Sequence, residues 1–228
     1  METLKFDLQQ TSELNRIWNF GVNTCHAKLW ERSDFVSHLA KEHRDLGFQY
    51  IRCHGILNDD MGVVRADGSF DFDGVFKMVD AVLKAGYMPF MELSSMPSRL
   101  ASGENSICFY KFRTDPPKEW SRWFDLIHEL MLALTRRYGC DNVKKWYFEV
   151  WNEPDISFWN GTQEEYFKLY DLSRKAIKAV CREYRVGGPA TSKTAWLPDF
   201  CSHVSRPSAD DPEEGIRCDF VSSHAYPS

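Results

Sequence analysis

Two hydrophobic rhythms alternate along the chain. Short runs rich in Val, Ile, Phe, Tyr and Trp, at 18–23, 49–53, 87–93, 145–151, 185–188 and 219–224, have the composition of β-strands. Between them apolar residues recur three or four apart, the spacing of a helix that buries one face. Ser33 and Asp34 can cap a helix over 35–46, where Phe35, Leu39 and Leu46 share a side and Gly47 is the stop. Segment 71–83 repeats the arrangement with Val75, Met78, Val79, Val82 and Leu83 on one side and Gly86 behind it. Pro116 and Pro117 lead into a helix over 119–138 closed by Gly139, and a further one is predicted over 163–184, ending near Gly187. The order reads βαβαβαβαβαβ.

Apolar strands alternating with helices predict a parallel sheet, either an open doubly wound sheet or a (β/α)8 barrel. A dinucleotide-binding sheet should carry Gly-x-Gly-x-x-Gly after its first strand, but Phe20-Gly21-Val22-Asn23-Thr24 offers one glycine and Gly187-Gly188-Pro189 is a different motif. Polar residues instead stand at the C-terminal ends of several strands: Asn23 and His26, Arg52 and His54, Glu92, Asn152 and Glu153, His224 and Tyr226. That distribution is the mark of a barrel. The expected class is therefore α/β, a (β/α)8 TIM barrel cut to about its first six βα units, with 1–16 as an N-terminal extension and 17–228 as a partial catalytic barrel.

Composition narrows the function classes. The 228 residues are 43% hydrophobic and 14% aromatic, which excludes a disordered chain. A net charge of −5, from 33 acids and 28 bases spread evenly, leaves no basic footprint for nucleic acid or an anionic membrane, and neither is expected as a partner. No apolar run approaches the roughly 20 residues of a membrane span, and the start lacks a basic stretch followed by an apolar one, so the expected location is cytoplasmic. Seven cysteines without a Cys-x-x-Cys pair predict buried, reduced thiols. His38 and His43 lie five apart, wrong for a metal pair on one helix face, and there is no His-Glu-x-x-His; no metal and no cofactor are expected.

The sharpest chemical signal is Trp146-Tyr147-Phe148-Glu149-Val150-Trp151-Asn152-Glu153-Pro154-Asp155. A strand ending in Asn-Glu-Pro puts a carboxylic acid at the barrel mouth, an amide beside it that can bond a substrate hydroxyl, and a proline that breaks the strand. On its own the tripeptide does not separate a general acid from an ordinary solvated carboxylate. Five more segments stand with it: Phe20 to Thr24, Tyr50 to Met61, Pro89 to Pro97, Val186 to Ala190 and Asp219 to Pro227. Together, and in this order over nearly the whole chain, the six resemble glycoside hydrolase family thirty-nine, the β-xylosidases.

The resemblance implies a retaining glycosidase that hydrolyses terminal β-D-xylosyl residues of xylo-oligosaccharides or aryl β-xylosides by double displacement. It assigns Glu153 the general acid/base role and Asn152 the amide that holds the sugar 2-hydroxyl. His224 and Tyr226 match a sixth-strand pair near the catalytic centre, His54 a sugar-hydroxyl ligand, Arg52 a supporting arginine and Glu92 a supporting hydrogen-bonding group. Trp30, Trp159 and Trp196 read as packing residues, with Trp159, soon after Glu153, also a candidate stacking wall for a sugar. The family's nucleophile lies on a seventh strand, which this sequence does not contain, nor the eighth strand or the accessory β-sandwich. The chain alone is therefore expected to be inactive and to self-associate through its open barrel edges. Two alternatives stand beside this reading. One is an α-L-iduronidase-like hydrolase, which shares Trp-Asn-Glu-Pro-Asp but against which His54 to Met61 speaks; the other is a non-catalytic or vestigial carbohydrate-binding fragment.

Overall fold

Six parallel strands follow one another across a single sheet in chain order. They are β1 (Gly21–His26), β2 (Tyr50–His54), β3 (Met88–Leu93), β6 (Tyr147–Val150), β7 (Arg185–Thr191) and β8 (Phe220–Ser223), with a small antiparallel hairpin, β4 (Ser106–Ile107) and β5 (Phe112–Arg113), inserted after β3. The helices are α1 (Ser33–Leu46), α2 (Asp73–Lys84), α3 (Trp120–Tyr138), α4 (Cys140–Val143), α5 (Gln163–Val180) and α6 (Leu197–Val204). This computed structural model describes residues 7, 9, 11–13, 15–207 and 215–226, so most of the expected extension over 1–16, and Pro227, lie outside the described residues. A doubly wound sheet reverses its strand order at a switch point; the order β1-β2-β3-β6-β7-β8 never reverses, so the sheet is a half-barrel. Among the described residues, no helix is long and apolar enough to cross a membrane.

Local sequence explains most element limits. Gly47 ends α1 in the left-handed conformation (φ 76°), its N–H reaching the His43 carbonyl. Thr162 opens α5 through a capping box: its hydroxyl accepts from the Glu165 N–H while the Glu165 carboxylate accepts from the Thr162 N–H. Three limits differ from expectation. The first strand starts at Gly21 because 17–20 form a 3-10 turn that leaves Ile17, Trp18 and Phe20 exposed, and pairing begins only at Gly21 opposite Tyr50. The helix α5 stops at Val180, because Cys181 turns extended and sends Tyr184 into the core. Leu46 and Leu83, expected on apolar faces, are exposed. Of the seven cysteines only Cys53 is fully buried; Cys25 near the end of β1, Cys108 in a turn and Cys140 at the start of α4 are in solvent.

Strand alternation sorts the two faces of the sheet. Ile51, Cys53, Met91, Phe148, Val150 and Val186 point outward and are buried under Val75, Val79 and Val82 of α2 and Trp123, Ile127, Leu130 and Leu134 of α3. The inward face is not the uniformly apolar surface that the strand runs suggested. Its lower layer is aromatic, with Tyr147 5.1 Å from Tyr50, 5.3 Å from Phe90 and 5.2 Å from Phe220 between ring centres. Gly187 makes room for that layer, since a Cβ there would lie 2.2 Å from the Phe220 carbonyl oxygen. Its upper layer is ionic: the Arg52 guanidinium lies 2.6 Å from Glu149 and 2.8 Å from Glu92, three residues from three adjacent strands.

One guanidinium between two buried carboxylates leaves a negative charge in excess, and a proton removes it at least cost. Burial first, and then the neighbouring Glu149, push the Glu92 carboxyl up to about 8, while the Ser94 hydroxyl donates to its other oxygen. A carboxyl whose pKa is higher folded than unfolded holds its proton longer in the native state, so stability falls as pH rises from the unfolded value near 4.5 towards 8. Glu92→Gln is neutral at every pH and should flatten that slope. Melting temperatures of the two proteins between about pH 5 and pH 8 check it; identical slopes would mean that Glu92 is ionised throughout.

Candidate active site

The C-terminal ends of the strands converge on Glu153, which is 7% exposed. Two groups from beyond β8 meet its carboxylate: His224 Nδ1 lies 2.7 Å from Oε1, and the Tyr226 hydroxyl donates to the same oxygen at 3.1 Å. Burial and the Glu153 charge raise the Tyr226 pKa, so the phenol remains the donor. Both bonds fall on Oε1.

The backbone that presents Glu153 is strained. Trp151 (φ 72°), Glu153 (φ 44°) and Ala190 (φ 51°) all lie in the left-handed region, which costs a non-glycine residue about 1–3 kcal/mol. Several contacts impose it. The Glu153 N–H donates to the Ala190 carbonyl at 2.8 Å, and the Trp151 indole N–H donates to the Phe158 carbonyl at 2.9 Å. Asp155, two residues on, accepts from the backbone N–H of Ser192 at 2.7 Å and from its hydroxyl at 2.9 Å, fastening the loop after β6 to the end of β7.

Arg52 also reaches this loop. Its Nη2 donates to Asn152 Oδ1 at 3.0 Å, which fixes the amide and leaves its NH2 group for another partner. Asn23 accepts from Nη1 at 3.3 Å. On the other side of the mouth, His54 Nε2 lies 2.9 Å from the Tyr110 hydroxyl, and the Tyr110 ring stacks on His26 at 4.3 Å with 8° between planes. His26 in turn meets Asp60 at 2.7 Å. Burial, and then the nearby Arg52 charge, lower the His54 pKa to about 4, so this imidazole is neutral near pH 7.

The structure thus brings Glu153, His224 and Tyr226 together, and joins Asn152, Arg52 and Glu92 through one guanidinium. His54 stands at the mouth with Tyr110. Of the two readings of Trp159 the structure has the packing one, and the stacking wall is corrected: it is a core residue, 5% exposed, its ring edge-on to Trp151 and Tyr166 and its N–H bonded to the Thr162 carbonyl, so neither face is open to a sugar. Sequence reasoning passed over Glu149, Tyr110, Asp155 and Ser192. Glu149 could have been found from alternation, since it shares the inward face with Tyr147; Tyr110 sits in a long insertion with no local signal. Among the described residues no cluster of three His, Cys, Asp or Glu could hold a metal ion.

A buried acid held at a barrel mouth by a histidine and a tyrosine, beside an oriented amide, can deliver a proton to a leaving oxygen and bond a neighbouring hydroxyl. Known proteins bear the same architecture. A β-xylosidase of Caldicellulosiruptor saccharolyticus is 44% identical over 96% of this chain and 45% of its own length, and one of Geobacillus stearothermophilus is 37% identical over 92% and 43%. The crystal structure of a monomeric β-xylosidase from Caulobacter crescentus superposes with a TM-score of 0.85 at 36% identity, covering 96% of this chain and 44% of that one. The chain thus spans less than half the length of these relatives. The sequence pattern of the Glycosyl hydrolases family 39 matches residues 4–228, and with these identities it follows that the chain belongs to that family.

Proposed function

We propose that the chain carries the acid/base half of a retaining β-xylosidase site, acting on terminal β-D-xylosyl residues of xylo-oligosaccharides or aryl β-xylosides. The observation that carries the reading is the pair of bonds from His224 and Tyr226 to Glu153 Oε1. With Oε1 engaged, Oε2 is the oxygen that holds the proton and gives it to the glycosidic oxygen as that bond breaks. In the second step the Glu153 carboxylate takes a proton from the water that hydrolyses the glycosyl-enzyme. Asn152 donates its free NH2 to the sugar 2-hydroxyl, and neutral His54 bonds a further hydroxyl.

Retention needs a second carboxylate about 5–5.5 Å from the first. Glu92 and Glu149 are poor candidates, since both lie against Arg52 and Glu92 is held protonated at neutral pH. The attacking carboxylate belongs instead on a strand laid against the free edge of β8, which pairs with β7 alone among the described strands. The names of the relatives support xylose as the sugar.

Two outcomes test the assignment in a barrel completed with the remaining βα units of a family member. Glu153→Ala should slow hydrolysis of xylo-oligosaccharides, whose leaving alcohol needs the proton, by about 10²–10⁴-fold. Aryl xylosides with acidic leaving groups should lose far less in the glycosylation step, and equal losses would take Glu153 out of the acid/base role. Comparison of kcat/KM for matched aryl glycosides should favour β-D-xyloside over β-D-glucoside by about 10–100-fold, the discrimination available from excluding a small substituent. A preference for glucosides or iduronides would overturn the substrate class.

We further propose that the 228-residue chain by itself shows no glycosidase turnover and self-associates through the edges of β1 and β8. Light scattering on the eluting protein together with an aryl xyloside assay reads both. A stable monomer would mean that the edges are covered, and turnover by it would make Glu92 or Glu149 the nucleophile.

A further inference from the structure

Cys140 and Cys181 are 41 positions apart in sequence, yet their sulfurs are 3.5 Å from each other. Both stand at the N-terminal end of the barrel strands, Cys140 opening α4 before β6 and Cys181 closing α5 before β7, whereas Glu153 lies past the opposite end of β6. Neither backbone is loose. The Gly139 N–H reaches the Thr135 carbonyl at 2.9 Å and the Lys144 N–H reaches the Cys140 carbonyl at 2.9 Å. The Cys181 N–H reaches the Ile177 carbonyl at 3.2 Å, and the Tyr184 N–H reaches the Cys181 carbonyl at 3.2 Å. The same two turns are joined by Lys144, which lies 2.8 Å from Asp141 and 3.7 Å from Glu183. The sulfurs are thus held within a side-chain rotation of bonding distance, and Cys140 is open to solvent.

We propose that Cys140 and Cys181 are an oxidisable pair, converted by a low-molecular-weight disulfide such as glutathione disulfide into an intrachain cystine that staples the base of the half-barrel. The Cys140 thiolate attacks one sulfur of the reagent, forming a mixed disulfide and expelling one glutathione thiolate. The Cys181 thiolate then attacks Cys140 Sγ and expels the second. Two protein thiols become one disulfide, the reagent is reduced to two thiols, and the two protons pass to the departing glutathiones. Exposure makes Cys140 the entry point, and Cys181, less exposed and with its sulfur 3.5 Å from that of Cys140, is placed for the intramolecular second step. The closed loop encloses β6, the strained Asn152-Glu153 turn and α5, so the staple restrains the unfolded chain around the acid/base residue without touching it.

The experiment is oxidation of the dilute full chain with glutathione disulfide, followed by tryptic mapping without reduction. The expected product joins the peptide 138–144, which holds Cys140, to the peptide 179–182, which holds Cys181, and dithiothreitol separates them. The melting temperature should rise by roughly 5–10 °C on oxidation. In Cys181→Ser the glutathione should remain on Cys140 and the rise should vanish. Exposed Cys25 and Cys108 report that the reagent has reacted. Their modification with the two peptides unjoined, or joined only between separate chains on a non-reducing gel, would overturn the proposal.

Discussion

The arrangement depends on one guanidinium. Arg52 projects from β2 into the half-barrel, meets Glu92 of β3 and Glu149 of β6, and continues to Asn152 beyond the end of β6. Such a charge is tolerable in a buried place because β1, β3 and β6 each contribute a partner, and removing it would leave Glu92 and Glu149 without the base they share, at a cost of about 3–5 kcal/mol. The same side chain thereby does two things. It ties three neighbouring strands together at their polar level, and it sets the direction of the amide beside the acid/base candidate.

From that level upward the site is held by backbone rather than by bulk. Left-handed Trp151 and Glu153 are compelled by bonds to Ala190, Phe158 and Ser192, groups on β7, in the following loop and in the turn after β7. Strain of this kind persists only where surrounding contacts outweigh it. Here they aim a single carboxylate at the barrel axis, with its Oε1 taken by His224 and Tyr226. Below, the aromatic layer of Tyr50, Phe90, Tyr147 and Phe220 fills the interior, which leaves the mouth as the polar end of the half-barrel.

The exposed ring of Phe20 and the outer edges of β1 and β8, unpaired among the described residues, show the other side of this construction. A barrel buries its inner face by closing on itself. Six strands in unbroken order form half of such a closure, and among the described residues β1 and β8 are its outer strands.

The sequence by itself determined the class and the order of elements, because helix and strand periods are local: Val75, Met78, Val79 and Val82 could not share a face in a strand, nor could Gly47 sit comfortably inside a helix. It also singled out Asn152, Glu153, His224 and Tyr226 as candidates, since strand-end motifs are contiguous and can be read without coordinates. What it could not supply were relations between distant positions. That Trp159 packs edge-on to Trp151, that Tyr110 comes from an inserted hairpin loop to meet His54, and that Glu149 shares Arg52 with Glu92 are consequences of register and loop path. A tryptophan a few residues after a strand-end glutamate reads the same whether its ring faces the mouth or the core; only the strand-to-helix packing decides which. The charge cluster was hidden for a related reason. Alternation says which residues face inward, but only the parallel register that sets Glu92 beside Glu149 shows that two acids must share one base.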